Sequence, residues 1–592
     1  MASSLKAIVS LLRKYLKPYI PQVILLSIFL MIGNSIEIIN PQIVSYYIDS
    51  VTEDFNKQIA LFAGLMYIGM SLLQRGLMVV IRYFSQNLGW ATTNDLRSDL
   101  TKHCMHLDMT FHNKYKPGEM IERIDGDATA LSEFFSTFII YFVGSFLILA
   151  GIIIATFVEG LLEYGPNTIN GWLYGIIFTG FTIVSLIGLY FIRKITSPLW
   201  KKVRESTTAL YGNIEESLSS FEDVRANGGN QYVMKKFHDV SRTDFHNKNK
   251  AMIISRVYYF ANIVMNAVLT LSILIVCYYL YVPLGLSAGT LFLLLTYASS
   301  ILRPLRLILM QLEALQNTMA NIERINEFFA IETEIKDTGT EEFPKESVAL
   351  EFKDLNFSYN KEDMVLQNIS FNLKPGKKIG LIGHTGSGKT TLARLIFRLY
   401  DPTNGAIKIN GIDSQEFPLK ELRQNIAYVT QEVELFKASV KDNITFFSDE
   451  IPEEIIHSVF DDLGLEDWLR KLPNGLETIV FSDELGLSAG EEQLLALSRA
   501  FLKDPKIVIL DEASSRLDPA TERKVDSAIT RLLEGRSAII IAHRLATLHD
   551  VDDIMLLKDG HIIEYDSRVN LLKDPNSHFS QLLQKGIEEV LQ

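Results

Sequence analysis

The sequence predicts an α-helical transmembrane domain, six spans extended into the cytoplasm, followed by an α/β domain built around a phosphate loop. Two observations carry this. Six long apolar runs crowd the first half of the chain, each near the roughly 20 residues that a helix needs to cross a bilayer core about 30 Å thick. The second half holds LIGHTGSGKTT, Leu381–Thr391, between a short apolar run and a helical pattern, the setting that a phosphate loop requires. A chain of 592 residues also exceeds the ~100–200 residues of one domain. The expected division is 1–331 for the membrane domain, 332–347 for a linker and 348–592 for the nucleotide-binding domain.

The spans run approximately Tyr19–Val44, Ile59–Phe84, Phe135–Val158, Trp172–Ile192, Val257–Tyr281 and Leu291–Met310. Lys6, Arg13, Lys14 and Lys17 precede the first. That run is too long for the core of a cleavable signal and lacks a small-residue cleavage site, so it reads as an anchor. The distribution of Lys and Arg sets the orientation. The first outer loop holds Asp49, Glu53 and Asp54 against Lys57 alone; Glu159–Asn170 has no basic residue and Val282–Ala288 no charge. The N-terminus, Arg97–Arg123 and Arg193–Lys250 are rich in basic residues, which puts them and both termini in the cytoplasm. The expected location is multi-pass, in a prokaryotic plasma (inner) membrane.

The cytoplasmic connections, Ser85–Phe134 and Arg193–Arg256, keep helical periodicity and hold few breakers, so the spans should continue as helices below the membrane. Their tips fall at Phe111–Asp127, with Pro117-Gly118 as the turn, and at Tyr211–Asn230. Glu332–Glu346 (ETEIKDTGTEEFPKE) is charged, loses periodicity, contains Gly339 and Pro344, and reads as a linker. A formal net charge of −13 argues against nucleic acid, whose phosphates need a basic face. Cys104 and Cys277 are the chain's two cysteines; they are too few for a disulfide framework, and the soluble parts suit a reducing compartment.

In the second half, Gly383, Gly386, Ser387, Gly388, Lys389, Thr390 and Thr391 form the phosphate loop, fitting G-x-x-x-x-G-K-[ST]. Glycines let the backbone wrap close to phosphates, and successive N–H groups with the following helix N-terminus point at the anion. Lys389 supplies charge to the β- and γ-phosphates, and the Thr390 hydroxyl can ligate Mg²⁺. Lys378–Ile382 is the strand before the loop, and Thr391–Leu399 the helix after it. Ile507–Asp511 (IVILD) reads as a buried parallel strand that ends on Asp511, a second Mg²⁺ ligand. Glu512 next to it is placed to act as general base toward water. Ile426–Thr430 leads to Gln431, and Ser537–Ala542 leads to His543. Ends of parallel strands are where such folds bind ligands, so Gln431 can sense Mg²⁺ and water, and His543 the γ-phosphate. ATP and Mg²⁺ are the expected cofactors of this P-loop ATPase domain.

Taken in order, Tyr359, the phosphate loop, Gln431, Leu487-Ser488-Ala489-Gly490-Glu491, Asp511-Glu512, Ser515–Asp518 and His543 resemble the nucleotide-binding domain of ATP-binding-cassette transporters. Six preceding spans resemble the half-transporter layout of that family's exporters, and Phe111–Asp127 resembles its first cytoplasmic coupling segment. The resemblance covers essentially the whole chain. It implies that Tyr359 stacks on adenine and that Ser488 and Gly490 contact the γ-phosphate of ATP held by a second half-transporter. It also implies that Asp518 communicates between two sites, and that ATP binding and hydrolysis drive alternating access. The family signature is usually Leu-Ser-Gly-Gly-Gln. Here Ala489 and Glu491 depart from it, and Thr478–Gly486 lacks the usual Gly-Glu-x-Gly. One substandard signature favours a heterodimer over a homodimer.

Glu37, Gln74, Arg75, Asn262 and Asn266 fall in or near spans, where ionisable groups should face a cavity or pair with each other. They support either a substrate pathway, or a structural Glu–Arg pair or snorkelling near an interface. ATP-driven export is the leading function; an ATP-gated channel or regulatory membrane ATPase on the same fold is the alternative. The exported substrate, whether drug, lipid or peptide, is not specified by these residues.

Overall fold

The computed structural model describes residues 10–11, 13–52, 57–284, 287–360, 363–430, 433–480, 487–511, 519–542 and 548–591. The chain divides into two compact units, Met1–Met105 with Pro117–Ile331, and His106–Lys116 with Glu332–Gln592.

The first unit is helical. By length and composition, five helices among the described residues can cross a membrane: Arg13–Thr52, Lys57–His106, Pro117–Tyr164, Ile169–Gly188 and Ala288–Ile308. The sixth expected span lies within one helix, Asn230–Leu284, whose described apolar stretch is the shorter Ile263–Tyr279. Helices Lys57–His106, Ile169–Ser219 and Asn230–Leu284 have 50, 51 and 55 residues. At 1.5 Å per residue each reaches about 75–83 Å, far more than a 30 Å core requires, so each continues well past the apolar layer. Pro117 corrects the expected turn. It opens the helix Pro117–Ile121, because its missing N–H is an orphan in a first helical turn anyway.

Specific polar contacts tie the helices of this unit to one another. Asn34 Nδ2 donates to the Gly144 carbonyl at 3.1 Å and Ser85 Oγ to that of Ser136 at 2.6 Å. Asp127, buried, holds Arg324 through both of its oxygens. At the outer ends Asp49 accepts from the Gly289 N–H at 2.7 Å and from Ser287 Oγ at 2.9 Å. Ser287 is itself the N-cap of the helix Ala288–Phe329, so Asp49 ties the first span to the start of the last.

The second unit is α/β. Its strands are β1 (Leu350–Ser358), β2 (Met364–Leu373), β3 (Lys378–Ile382), β4 (Asn404–Ile409), β5 (Ile412–Asp413) and β6 (Ile426–Val429), then β7 (Ala438–Ser439), β8 (Ile479–Val480), β9 (Ile507–Asp511), β10 (Ser537–Ile541), β11 (Asp553–Lys558) and β12 (His561–Ser567). The main sheet has the order β12-β11-β3-β10-β9-β6, and a second sheet has the order β2-β1-β4-β5. β11, β3, β10, β9 and β6 pair in parallel; β12 joins antiparallel. Every residue of β9 and β10 is buried. Successive side chains point to opposite faces: Val508, Leu510, Ala538 and Ile540 enter one core, and Ile507, Ile509, Ile539 and Ile541 the other. A sheet covered on both faces needs such uninterrupted apolar strands.

The short helix Met109–Lys114 belongs to this unit, not to the helical one. Asp108 caps it, accepting from the Thr110 and Phe111 N–H groups at 3.0 and 3.3 Å. The other Asp108 oxygen accepts from Thr333 Oγ1 at 3.0 Å and from the Glu334 N–H. Met109 packs on the second core, and Asn113 donates to the Tyr400 hydroxyl. Residues 332–349 form no helix or strand, yet they are bonded down: Leu419 N–H donates to Asp337 at 2.8 Å, Arg398 to the Lys336 carbonyl at 3.0 Å, and Phe343 N–H to Glu421 at 2.9 Å.

Candidate nucleotide site

The phosphate loop leaves the end of β3 and enters the helix Lys389–Ile396. Gly386 and Gly388 have φ of 82° and 103°, a region open to glycine and costly for other residues. A Cβ on Gly388 would also lie 2.5 Å from Leu366 Cδ2. Lys389 is buried and reaches back across the loop, its Nζ donating to the carbonyls of Gly383 at 2.6 Å and His384 at 3.0 Å. Ser387 is buried, and its Oγ has no hydrogen-bond partner among the described residues. An orphaned hydroxyl is costly, and it sits beside N–H groups at a helix start, where an anion is favoured. The loop therefore fits a phosphate chain. Thr390 is half-buried at the first turn of this helix.

Sheet order brings the C-terminal ends of β3, β10, β9 and β6, Asp511 among them, to the same edge. β6, β9, β10 and β3 are consecutive neighbours, with Val429 opposite Leu510, and Asp511 and Leu381 both opposite Ile541. Asp511 is buried at the end of β9, and the Tyr428 hydroxyl donates to it at 3.4 Å. Burial, and then the Asp511 charge, push the Tyr428 phenol up to about 12, so it stays a neutral donor. Gln431, Glu512, Ser515–Asp518 and His543 lie outside the described residues.

Tyr359 follows β1. Its hydroxyl is 3.1 Å from Thr391 Oγ1, and its ring meets Phe357 and Tyr400 edge-on, with centroids 4.8 and 5.1 Å apart. It is partly exposed beside the helix that follows the loop. Ser488 and Gly490 open a different helix, Ala489–Lys503, with Ser488 exposed as its N-cap and Gly490 buried. In the membrane half Glu37 accepts from Gln74 at 3.3 Å, so its partner is Gln74, and Arg75 has no ion pair among the described residues.

Two sets of residues were missed from the sequence. Arg303 and Arg306 are exposed on the last span, within an interval that average hydropathy alone defines. Asp108 and Asn113 contact residues more than 200 positions away, which no local pattern signals.

A helical membrane domain joined to an α/β domain with this loop defines an ATP-binding-cassette half-transporter. The family model described as "ABC transporter" matches residues 366–515, and "ABC transporter transmembrane region" matches 23–305. An ATP-dependent lipid A-core flippase of Pseudomonas fluorescens is 30% identical across 99% of this chain and 97% of that relative. YknV of Bacillus subtilis, described as an uncharacterized ABC transporter ATP-binding protein, is 29% identical over 95% of this chain and 92% of its own. The structure of a bacterial Atm1-family ABC exporter with ATP bound superposes with a TM-score of 0.77 at 22% identity, covering 96% of this chain and 98% of that one; it shares the fold. The chain belongs to the ABC transporter family. It is a multi-pass membrane protein whose cytoplasmic ATPase domain couples ATP binding and hydrolysis to transport.

Proposed function

We propose that this half-transporter exports an amphiphile with an anionic head group. The observation that carries this is a cavity of about 450 Å³ between the helices Asn230–Leu284 and Ala288–Phe329. Ile263, Ala267 and Leu302 supply its apolar wall, and Asn266, Ser299, Arg303 and Arg306 its polar one. Arg303 and Arg306 are three residues apart and so share a helix face. No ion pair of either occurs among the described residues. Charged residues within spans are expensive and mark substrate paths, and guanidinium groups suit carboxylates and phosphates. That several relatives are named lipid A-core flippases agrees with an amphiphilic cargo.

In this reading ATP lies on the loop Gly383–Thr391, with Lys389 on its phosphates, Tyr359 against adenine, and Thr390, Gln431 and Asp511 toward Mg²⁺. Glu512 acts as base toward the attacking water and His543 contacts the γ-phosphate. Ser488 and Gly490 complete the ATP site of a second half-transporter, and Ala489 with Glu491 favours a heterodimer.

The test is stimulation of ATPase activity in nanodiscs by single-chain amphiphiles that differ only in head group. Phosphate or carboxylate heads should stimulate, and zwitterionic or cationic heads should not. Arg303→Gln with Arg306→Gln should abolish the stimulation while leaving basal turnover within about twofold. Equal stimulation by all head groups, or full stimulation of the double variant, would reject the assignment.

A further inference from the structure

The signature serine is not idle in this structure. Its backbone N–H and its hydroxyl both donate to one carboxylate oxygen, Glu491 Oε2, at 2.8 and 3.0 Å. The Glu491 N–H in turn donates to Ser488 Oγ at 3.3 Å. This closes a capping box over the first turn of the helix Ala489–Lys503. Ser488 is exposed and Gly490 is buried, so the serine's polar groups meet the surface, and an anion of the same chain already holds them.

We propose that Glu491 is a positioning residue that withholds Ser488 from the γ-phosphate of a partner's ATP. This rests on the reading that Ser488 and Gly490 complete that partner's site. A carboxylate and a γ-phosphate are both acceptors and both anionic, so they compete for the same N–H and O–H donors and repel each other at contact distance. The ATP sandwich closes on this chain's signature only once the Glu491 side chain has rotated away. A glutamine would hold the serine by the same geometry without the charge, and would yield more readily. The effect is local to the site that this chain's signature completes. The site on this chain's own phosphate loop is finished by the other half and escapes it.

The experiment uses the full-length assembled transporter in nanodiscs and reads turnover against ATP concentration together with melting temperature. Glu491→Gln should lower the KM for ATP by roughly five- to tenfold at an unchanged melting temperature, since glutamine keeps the capping box. Glu491→Ala should lower KM as well, now with a lower melting temperature, because the cap goes with the charge. Wild-type KM in both variants means that Glu491 is only a cap, and overturns the proposal. Gly490→Asp separates the two levels. If it leaves turnover unchanged, the signature reading itself falls. If it abolishes turnover while Glu491→Gln keeps the wild-type KM, the signature reading stands and the role of Glu491 falls.

Discussion

Lys503 shows how much one half-buried charge shapes its surroundings. Its ammonium donates to the Ile426 carbonyl at 2.7 Å and lies 5.3 Å from the Phe397 ring centre. Burial, and then the nearby Arg423, pull its pKa down to about 8 from 10.5. A base with a depressed folded-state pKa costs stability while it is charged. Between pH 8 and 10.5 the unfolded chain binds more protons than the folded one, so the wild type gains stability as pH rises through that window. Comparison with Lys503→Met isolates the effect: the melting temperature of the wild type should rise relative to the variant between pH 8 and 10, and the difference should be flat from pH 6 to 7. A difference that does not change across the whole range would mean that Lys503 is not depressed. The same scale shows what a sequence hides. Arg303 and Arg306 were in plain view, yet the apolar residues around them average them away in a hydropathy window, and the cavity they line singles them out.

Among elements, the strands around the phosphate loop were the most legible. Lys378–Ile382 and Ile507–Asp511 stand where their apolar runs put them, because a parallel strand covered on both faces must be apolar throughout. The helix Met109–Lys114 was not legible as part of the nucleotide unit, since its anchors are pairwise contacts across long stretches of sequence. Asp108 serves two structures at once, capping that helix and receiving Thr333 and Glu334. Burial would raise its pKa, but the hydrogen bonds, led by that from the Glu334 N–H, outweigh it and hold the carboxyl below its ordinary value. The anchor is therefore complete at neutral pH and is lost only as pH falls through that lowered value. Asp108→Asn keeps shape but weakens each bond, and Asp108→Ala removes the cap, a loss of about 1 kcal/mol. The expected result is faster hydrogen exchange in residues 106–116 and 332–336, in the order alanine, asparagine, wild type. Unchanged exchange in the alanine variant would show that Met109 and Asn113 hold the helix unaided.

At the scale of the whole molecule, the signature bears on which chain completes it. Its phosphate loop matches G-x-x-x-x-G-K-[ST] in full, whereas its signature has Ala489 and Glu491 in place of Gly and Gln. In a homodimer both sites would carry the altered signature; in a heterodimer only one would. On the heterodimer proposed above, this chain purified alone should form no dimer that transports, and its ATPase activity should rise about tenfold on adding the right partner. A stable homodimer that hydrolyses ATP equally at two sites and moves cargo would settle the matter the other way.

The bond between Asn113 and Tyr400 spans 287 positions, and that between Asp108 and Glu334 spans 226. The ribosome makes one end of each long before the other. At 5–20 residues per second, the Asn113 side waits roughly 15 to 60 seconds for Tyr400 to be synthesised. During that interval Met109 has no core to enter. The ATPase fold is thus finished by a piece delivered early and held in reserve, so a newborn chain should be open to quality control between these two moments. Truncation just before residue 332 would leave that piece permanently exposed, and such a fragment should be degraded faster than one that also lacks residues 106–116.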